Sequence, residues 1–165
     1  MADPRDLFDL TGRVACVTGA SAGLGRRAAI ALEAAGAKVV GVARRREALQ
    51  SLQDQSSGNT RIVAADVADR EAINTLRDGI SAHYGPPDIV VHAAGINTRE
   101  PASEVTAEGW DKTIALNLSA LAAVVAAAAE EEEAGAAASK IDLVASAFVS
   151  HRRTRRYQPT VWETD

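Results

Sequence analysis

The stretch GRVACVTGASAGLGRRAAIALEAAG, residues 12–36, decides how this chain folds. Residues 12–18 are a short apolar run bounded by Gly12 and Gly19, the pattern of a buried strand. Beyond the turn, Leu24, Ala28, Ala31, Leu32 and Ala35 recur at helical spacing, and Gly36 suits the end of a helix. Gly19, Gly23 and Gly25 fall between strand and helix. Glycine there lets the chain turn sharply, lets backbone approach a pyrophosphate, and lets the helix pack tightly on the strand. The helix N-terminus then receives the anion. Three glycines alone are weak evidence; set between a strand and an amphipathic helix they point to a dinucleotide.

After this unit, AKVVGVA (37–43) reads as a second strand and RREALQSLQDQ (45–55) as a short polar helix. SSGN is a loop by composition, and RIVAAD (61–66) is a third strand. Asp69 is the expected N-cap of the next helix, with Ile73, Leu76 and Ile80 on one face. GPP breaks that helix, and DIVVHAAG (88–95) is a fourth strand with its turn. A longer helix is expected from about Thr106 to Glu131, with Trp110, Ile114, Leu118, Leu121 and Val125 as its apolar face and four glutamates at its solvated end. IDLVASAFV (141–149) is the fifth strand. Strands alternating with helices across short loops imply parallel βαβ units, and near-continuous apolar strands imply a sheet covered on both faces. The expected fold is α/β, a doubly wound parallel sheet in the order 3-2-1-4-5.

The 165 residues suit one domain, and an apolar fraction of 47% is enough for a core. A net charge of −4 argues against a nucleic-acid protein, although HRRTRR (151–156) is locally basic and is read as a solvated tail. The single cysteine, Cys16, cannot form an internal disulfide and fits a reducing compartment. MADPRDLFDL has no apolar core of signal-peptide length, and no run is read as reaching the roughly 18 apolar residues of a membrane span. A cytoplasmic protein without membrane or nucleic-acid partners is therefore expected. His83, His92 and His151 are scattered and offer no metal-ligand spacing. His92 is read as a hydrogen-bonded structural residue.

The motifs resemble those of the short-chain dehydrogenase/reductase family. Gly19, Gly23 and Gly25 keep its TGxxxGxG spacing; Asp66–Val67 follows the third strand; HAAG at 92–95 is similar to its NNAG turn; and Asn117 stands in LNLSA. The resemblance covers roughly residues 7–146. It implies an oxidoreductase that moves hydride between a nicotinamide and a small-molecule carbonyl or alcohol, and a homo-oligomer through the helix after Thr106. It also implies cofactor contacts at Gly19, Ser21, Gly23, Leu24, Gly25, Arg44, Asp66, Val67, Ala94 and Gly95. An acidic residue at the end of the second strand would bind a ribose 2′-hydroxyl. Here Ala43 stands there, followed by Arg44, Arg45 and Arg46, whose guanidinium groups can pair with a phosphate. NADP is the expected cofactor and NAD the alternative. The basic residue that relatives often carry inside the glycine turn is absent, since Ala22 stands there.

The same resemblance implies a catalytic serine at Ser146 and an asparagine at Asn117. Asp142 is a departure within the fifth strand, because an unpaired carboxylate is costly to bury. The family's YxxxK pair is not found: the expected tyrosine position is Pro159, and Tyr157 is followed four residues on by Val161. Residues 1–149 are therefore read as an incomplete dinucleotide-binding domain, lacking the family's last strands and helices, and 150–165 as an anomalous, unstructured basic tail. A frame-shifted or truncated gene product is the preferred explanation, ahead of a deliberate fragment or a natural short variant. The competing reading is a non-catalytic NAD(P)-binding module.

Overall fold

In the computed structural model the described residues are 8–98, 100–101, 103–129 and 142–145. Five strands form one parallel sheet: β1 (Val14–Thr18), β2 (Lys38–Ala43), β3 (Thr60–Ala64), β4 (Ile89–His92) and β5 (Asp142–Ala145). Their spatial order is β3-β2-β1-β4-β5, as the alternating pattern predicts. The helices are α1 (Gly23–Ala34), α2 (Arg46–Asp54), α3 (Arg70–Tyr84), α4 (Ala107–Ile114) and α5 (Ala120–Ala129).

Every residue of β1 is buried, because it is the central strand and both of its faces are covered. Side chains alternate across the pleat. Ala15, Val17 and Val39 join Ala29, Leu49 and Leu52 on the α1/α2 face. Cys16, Val40, Val42 and Val90 join Leu76, Ile80, Ala120 and Val124 on the α3/α5 face. Each fully buried valine or leucine contributes roughly 1.5–3 kcal/mol, so two such layers supply the main driving force of folding. Burial pushes the Cys16 thiol up to about 12, leaving it inert at neutral pH.

Polar staples fix the strand ends. Asp88 accepts from Arg13 Nη1 at 2.9 Å and from the Val14 amide at 2.8 Å, tying the start of β4 to the start of β1. Glu33 on α1 accepts from Ser56 and Ser57 and from the Asn59 amide, which fastens the 56–59 loop. Burial works to raise the Glu33 pKa, but these hydrogen bonds outweigh it and hold the carboxyl below its ordinary value. Asp69 caps α3 as expected, accepting from the Glu71 amide at 2.9 Å.

Four expectations need correction. β3 ends at Ala64 rather than Asp66, because the Asp66 carboxylate accepts from the Ala68 amide and turns the chain. On α1 the buried residues are Gly25 and Ala29, whereas Leu24 and Ala31 are exposed. The helix expected from Thr106 to Glu131 is divided by a π-helical turn, Ala115–Ser119, and its residues 130 and 131 lie outside the described set. The wider turn shifts the phase of the residues beyond it. Beyond it Ala120, Val124 and Ala127 are buried; before it, Gly109 rather than Trp110 is the buried residue of α4, and Trp110 and Leu118 are each 59% exposed. Finally, the combined segment Ala107–Ala127 has 21 residues and holds an 18-residue window of mean hydropathy 1.2, long and apolar enough by composition to cross a membrane. Its α5 part packs on α3 and β4 through Ala120 and Val124. Of the predicted fifth strand, Asp142–Ala145 is described, in register with Ile89–His92.

Candidate functional site

Chain direction places the carboxyl ends of β1–β4 together, and a cleft of about 310 Å³ opens there. It lies where the winding reverses, since β2 and β3 extend to one side of β1 and β4 to the other. Such a crevice is where open α/β sheets take their ligands. Its lining includes Gly19, Ser21, Arg44, Asp66, Val67, Ala94 and Gly95, seven of the residues expected to hold a cofactor. Gly23, Leu24 and Gly25 lie beside it at the start of α1. Ala22, Ala43, Arg45, Ala93, Ile96 and Leu116 also line it.

The glycine turn is shaped by close approach. Gly19 has φ +69°, and a Cβ on it would lie 2.7 Å from backbone atoms of Ala93 and Ala94. A Cβ on Gly25 would lie 2.7 Å from the Gly19 carbonyl carbon. Gly23 has φ +58° with nothing near, so conformation rather than space requires glycine there. Ala22 begins α1 without a side-chain cap, and the first turn carries no acidic residue. The leading N–H groups of α1 are thus left for an anion, and the glycine cradle fits the pyrophosphate of a dinucleotide.

The opposite wall is held by a buried network. His92 is only 2% exposed, and its Nε2 lies 3.2 Å from the Leu116 carbonyl. A carbonyl can only accept, so Nε2 carries the proton and Nδ1 is the acceptor. The Thr18 hydroxyl, 3.0 Å away, therefore donates to Nδ1 while its oxygen accepts from the Ala94 amide at 3.2 Å. Burial lowers the His92 pKa; the bond to Leu116 works the other way without overcoming it. Asn117, in the π turn, grips the loop after β4 from both sides. Its Oδ1 accepts from the Ile96 amide at 2.9 Å, and its Nδ2 donates to the Ile96 carbonyl at 3.0 Å. Periodicity alone could not reveal this clamp, because it depends on the interrupted helix.

At the end of β2 the arginines diverge. Arg44 Nη1 lies 3.8 Å from Asp66 Oδ2, and Arg45 Nη2 lies 3.4 Å from Ser21 Oγ. Ser146, the expected catalytic serine, lies outside the described residues, as do Tyr157 and the basic tail. Among the described residues, no three His, Cys, Asp or Glu side chains are grouped to hold a metal ion.

The family profile described as short chain dehydrogenase matches residues 13–148. The chain belongs to that family. Its relatives include D-threitol dehydrogenase of Mycolicibacterium smegmatis, 38% identical over 68% of this chain and 44% of that protein. L-xylulose reductase of Bos taurus is 41% identical over 70% of this chain and 45% of that protein. The 3-oxoacyl-[acyl-carrier-protein] reductase FabG of Escherichia coli is 36% identical over 69% and 47%. Among solved structures, a short-chain type dehydrogenase/reductase from Mycobacterium marinum superposes with a TM-score of 0.73 at 31% identity, covering 78% of this chain and 53% of that one. The chain therefore spans about half the length of the short chain dehydrogenases it matches.

Proposed function

We propose that these residues form the nucleotide-binding half of an NADP-dependent oxidoreductase acting on a small-molecule carbonyl or alcohol. When bound, the cofactor supplies hydride chemistry at its nicotinamide ring. The observation carrying this reading is the cleft itself, where the glycine turn meets Arg44 and Arg45 and β2 ends in Ala43 rather than an acid. Gly19, Ser21, Gly23, Leu24 and Gly25 receive the pyrophosphate at the start of α1. Asp66 and Val67 flank the adenine on one side, and Ala94 and Gly95 stand on the other. Arg44 contributes positive charge towards a 2′-phosphate. Asn117 holds the loop at Ile96, and Ser146 positions the substrate oxygen.

Neither tyrosine of the sequence opens a YxxxK pair: four residues beyond Tyr84 stands Asp88, and beyond Tyr157 stands Val161. The proton transfer of this chemistry needs a phenol whose acidity is raised by a neighbouring cation, the part that lysine would play. We therefore assign residues 1–149 to nucleotide binding and 150–165 to a tail outside it, and expect the 165 residues alone to bind without turnover. The missing pair favours the second reading, a non-catalytic NAD(P)-binding module, for these residues by themselves. The working location is the cytoplasm, without nucleic-acid or membrane partners. Exposed Trp110 and Leu118 support self-association through α4 and the π turn after it.

Calorimetric titration with NADPH and NADH tests the assignment, with tighter binding of NADPH expected. Equal affinities would remove the NADP preference, and no binding of either would remove the nucleotide site. Steady NADPH consumption with a carbonyl panel would overturn the claim of catalytic incompleteness.

A further inference from the structure

We infer that His92 is the positioning residue of the cleft wall: by donating to the Leu116 carbonyl it imposes the π turn Ala115–Ser119 and so places Asn117 on Ile96. Only the consequence for ligand affinity rests on the reading that the cleft takes a nucleotide.

The hydrogen-bond ladder of the helix carries the argument. In an uninterrupted α-helix the Leu116 carbonyl would accept from the Ala120 amide, four residues on. Here the Ala120 amide donates to the Ala115 carbonyl instead, one residue further back. The Leu116 carbonyl is taken by His92 Nε2, 3.2 Å away. A side chain inserted into the ladder is one of the few causes of a break in a helix. Proline and glycine, which also break helices, do not occur in residues 110–129. The break runs against the local pattern as well. Ile114, Leu118, Leu121 and Val125 would share one face of a continuous helix, yet Leu118 is 59% exposed. A tertiary contact, not propensity, therefore holds the turn.

His92 is suited to that part. It ends β4 and is buried, and the Thr18 hydroxyl donates to its Nδ1 at 3.0 Å, which fixes the ring and leaves the proton on Nε2. The next residue of the turn is Asn117, whose amide group holds Ile96 by two hydrogen bonds. Gly95 leaves room for it, since a Cβ there would lie 3.1 Å from Asn117 Oδ1. Leu116 and Ile96 both line the cleft, so one imidazole places two residues of its wall. Thr113 is the rival cause, because its hydroxyl donates to the Gly109 carbonyl at 2.8 Å, a bond that bends helices. The ladder nevertheless continues past Thr113, where the Ala115 amide still donates to the Asp111 carbonyl.

The test is nuclear magnetic resonance of the full chain and its His92→Phe, His92→Gln and Thr113→Ala variants. Scalar coupling through the hydrogen bond of the Ala120 amide reads its acceptor directly, and nitrogen shifts read the His92 tautomer. The unsubstituted chain should show the Nε2–H tautomer and coupling from Ala120 to Ala115. In His92→Phe, which keeps a ring but no donor, the coupling should move to Leu116. His92→Gln can still donate and should keep Ala115 as acceptor, as should Thr113→Ala. Coupling to Ala115 retained in His92→Phe, or an Nδ1–H tautomer in the unsubstituted chain, would overturn the inference. Should His92→Phe fail to fold, His92→Gln decides, since coupling to Leu116 in that variant would overturn it equally. Calorimetric titration with NADP⁺ should show roughly tenfold weaker binding by His92→Phe, through loss of the Asn117 hydrogen bonds, and recovery in His92→Gln. Unchanged affinity with a moved coupling would overturn the positioning role. Failure of the unsubstituted chain to bind NADP⁺ would remove the nucleotide reading and leave the cause of the π turn to the couplings alone.

Discussion

Replacing Gly19 by alanine should destabilise the chain more than replacing Gly23, although both glycines have positive φ. At Gly23 the added methyl meets nothing within 4 Å, so the only cost is the left-handed backbone, about 1–2 kcal/mol. At Gly19 the same backbone cost applies, and the methyl would also sit 2.7 Å from Ala93 and Ala94 backbone atoms. Relieving that overlap requires β1 and β4 to shift apart at their carboxyl ends, an overpacking cost of about 1–3 kcal/mol. The total at Gly19 is then about 2–5 kcal/mol, against a domain stability of about 5–15 kcal/mol. Thermal unfolding followed by far-ultraviolet circular dichroism should show the difference, at about 3–4 °C per kcal/mol for a chain of this size. Gly19→Ala should lose clearly more than Gly23→Ala, and urea midpoints should keep that order. Equal losses would show that conformation alone, not the approach of β4, requires glycine at position 19.

Acid should weaken the fold in two windows. His92 has a lowered folded pKa, so below its ordinary value of 6.5 the unfolded chain binds more protons than the folded one. Its contribution is therefore complete above about pH 6.5 and declines as pH falls towards the folded pKa; urea midpoints between pH 7.5 and 5.5 should drop, and His92→Asn should flatten that slope. The lowered Glu33 pKa acts later, its contribution present above the ordinary 4.5 and lost as pH falls through the folded value, and Glu33→Gln should reduce that lower limb. Asn117→Ala removes two hydrogen bonds to Ile96 and should cost about 1–3 kcal/mol, with amide exchange at Ile96 accelerating first. Asp69→Ala removes the α3 cap and should cost about 1 kcal/mol in a urea titration.

The fold was legible because its strongest signals are local. The run Val14–Thr18, the glycines after it and the helix they open need no long-range information, and the parallel order is a consequence of strands alternating with helices. Phase along the later helix was not legible. Carrying the apolar face from Ile114 through Leu118 to Leu121 and Val125 assumes 3.6 residues per turn throughout, and the π turn at Ala115–Ser119 breaks that assumption; within α4 itself Gly109, not Trp110, is buried. Small residues then face α3 where larger ones were expected, because Ala120 and Val124 permit close packing. At the cleft, sequence supplied the arginine run but not its division, since only folding brings Arg45 to Ser21 and Arg44 to Asp66. The His92 tautomer was likewise invisible until Leu116 stood beside it.

The Asp88 staple also says something about the order of events during synthesis. β1 is flanked by β2 on one side and by β4 on the other, yet β4 comes after it by most of the chain's first half. As the chain leaves the ribosome at roughly 5–20 residues per second, β1, β2 and β3 can pair seconds before β4 exists. During that interval the buried strand Val14–Thr18 presents an apolar open edge, the kind of surface that recruits other nascent chains. Asp88, which catches Arg13 and the Val14 amide, is the first contact able to close it. Loss of that carboxylate should therefore show itself in a translation reaction, as aggregation of newborn chains, before it shows in the finished cleft.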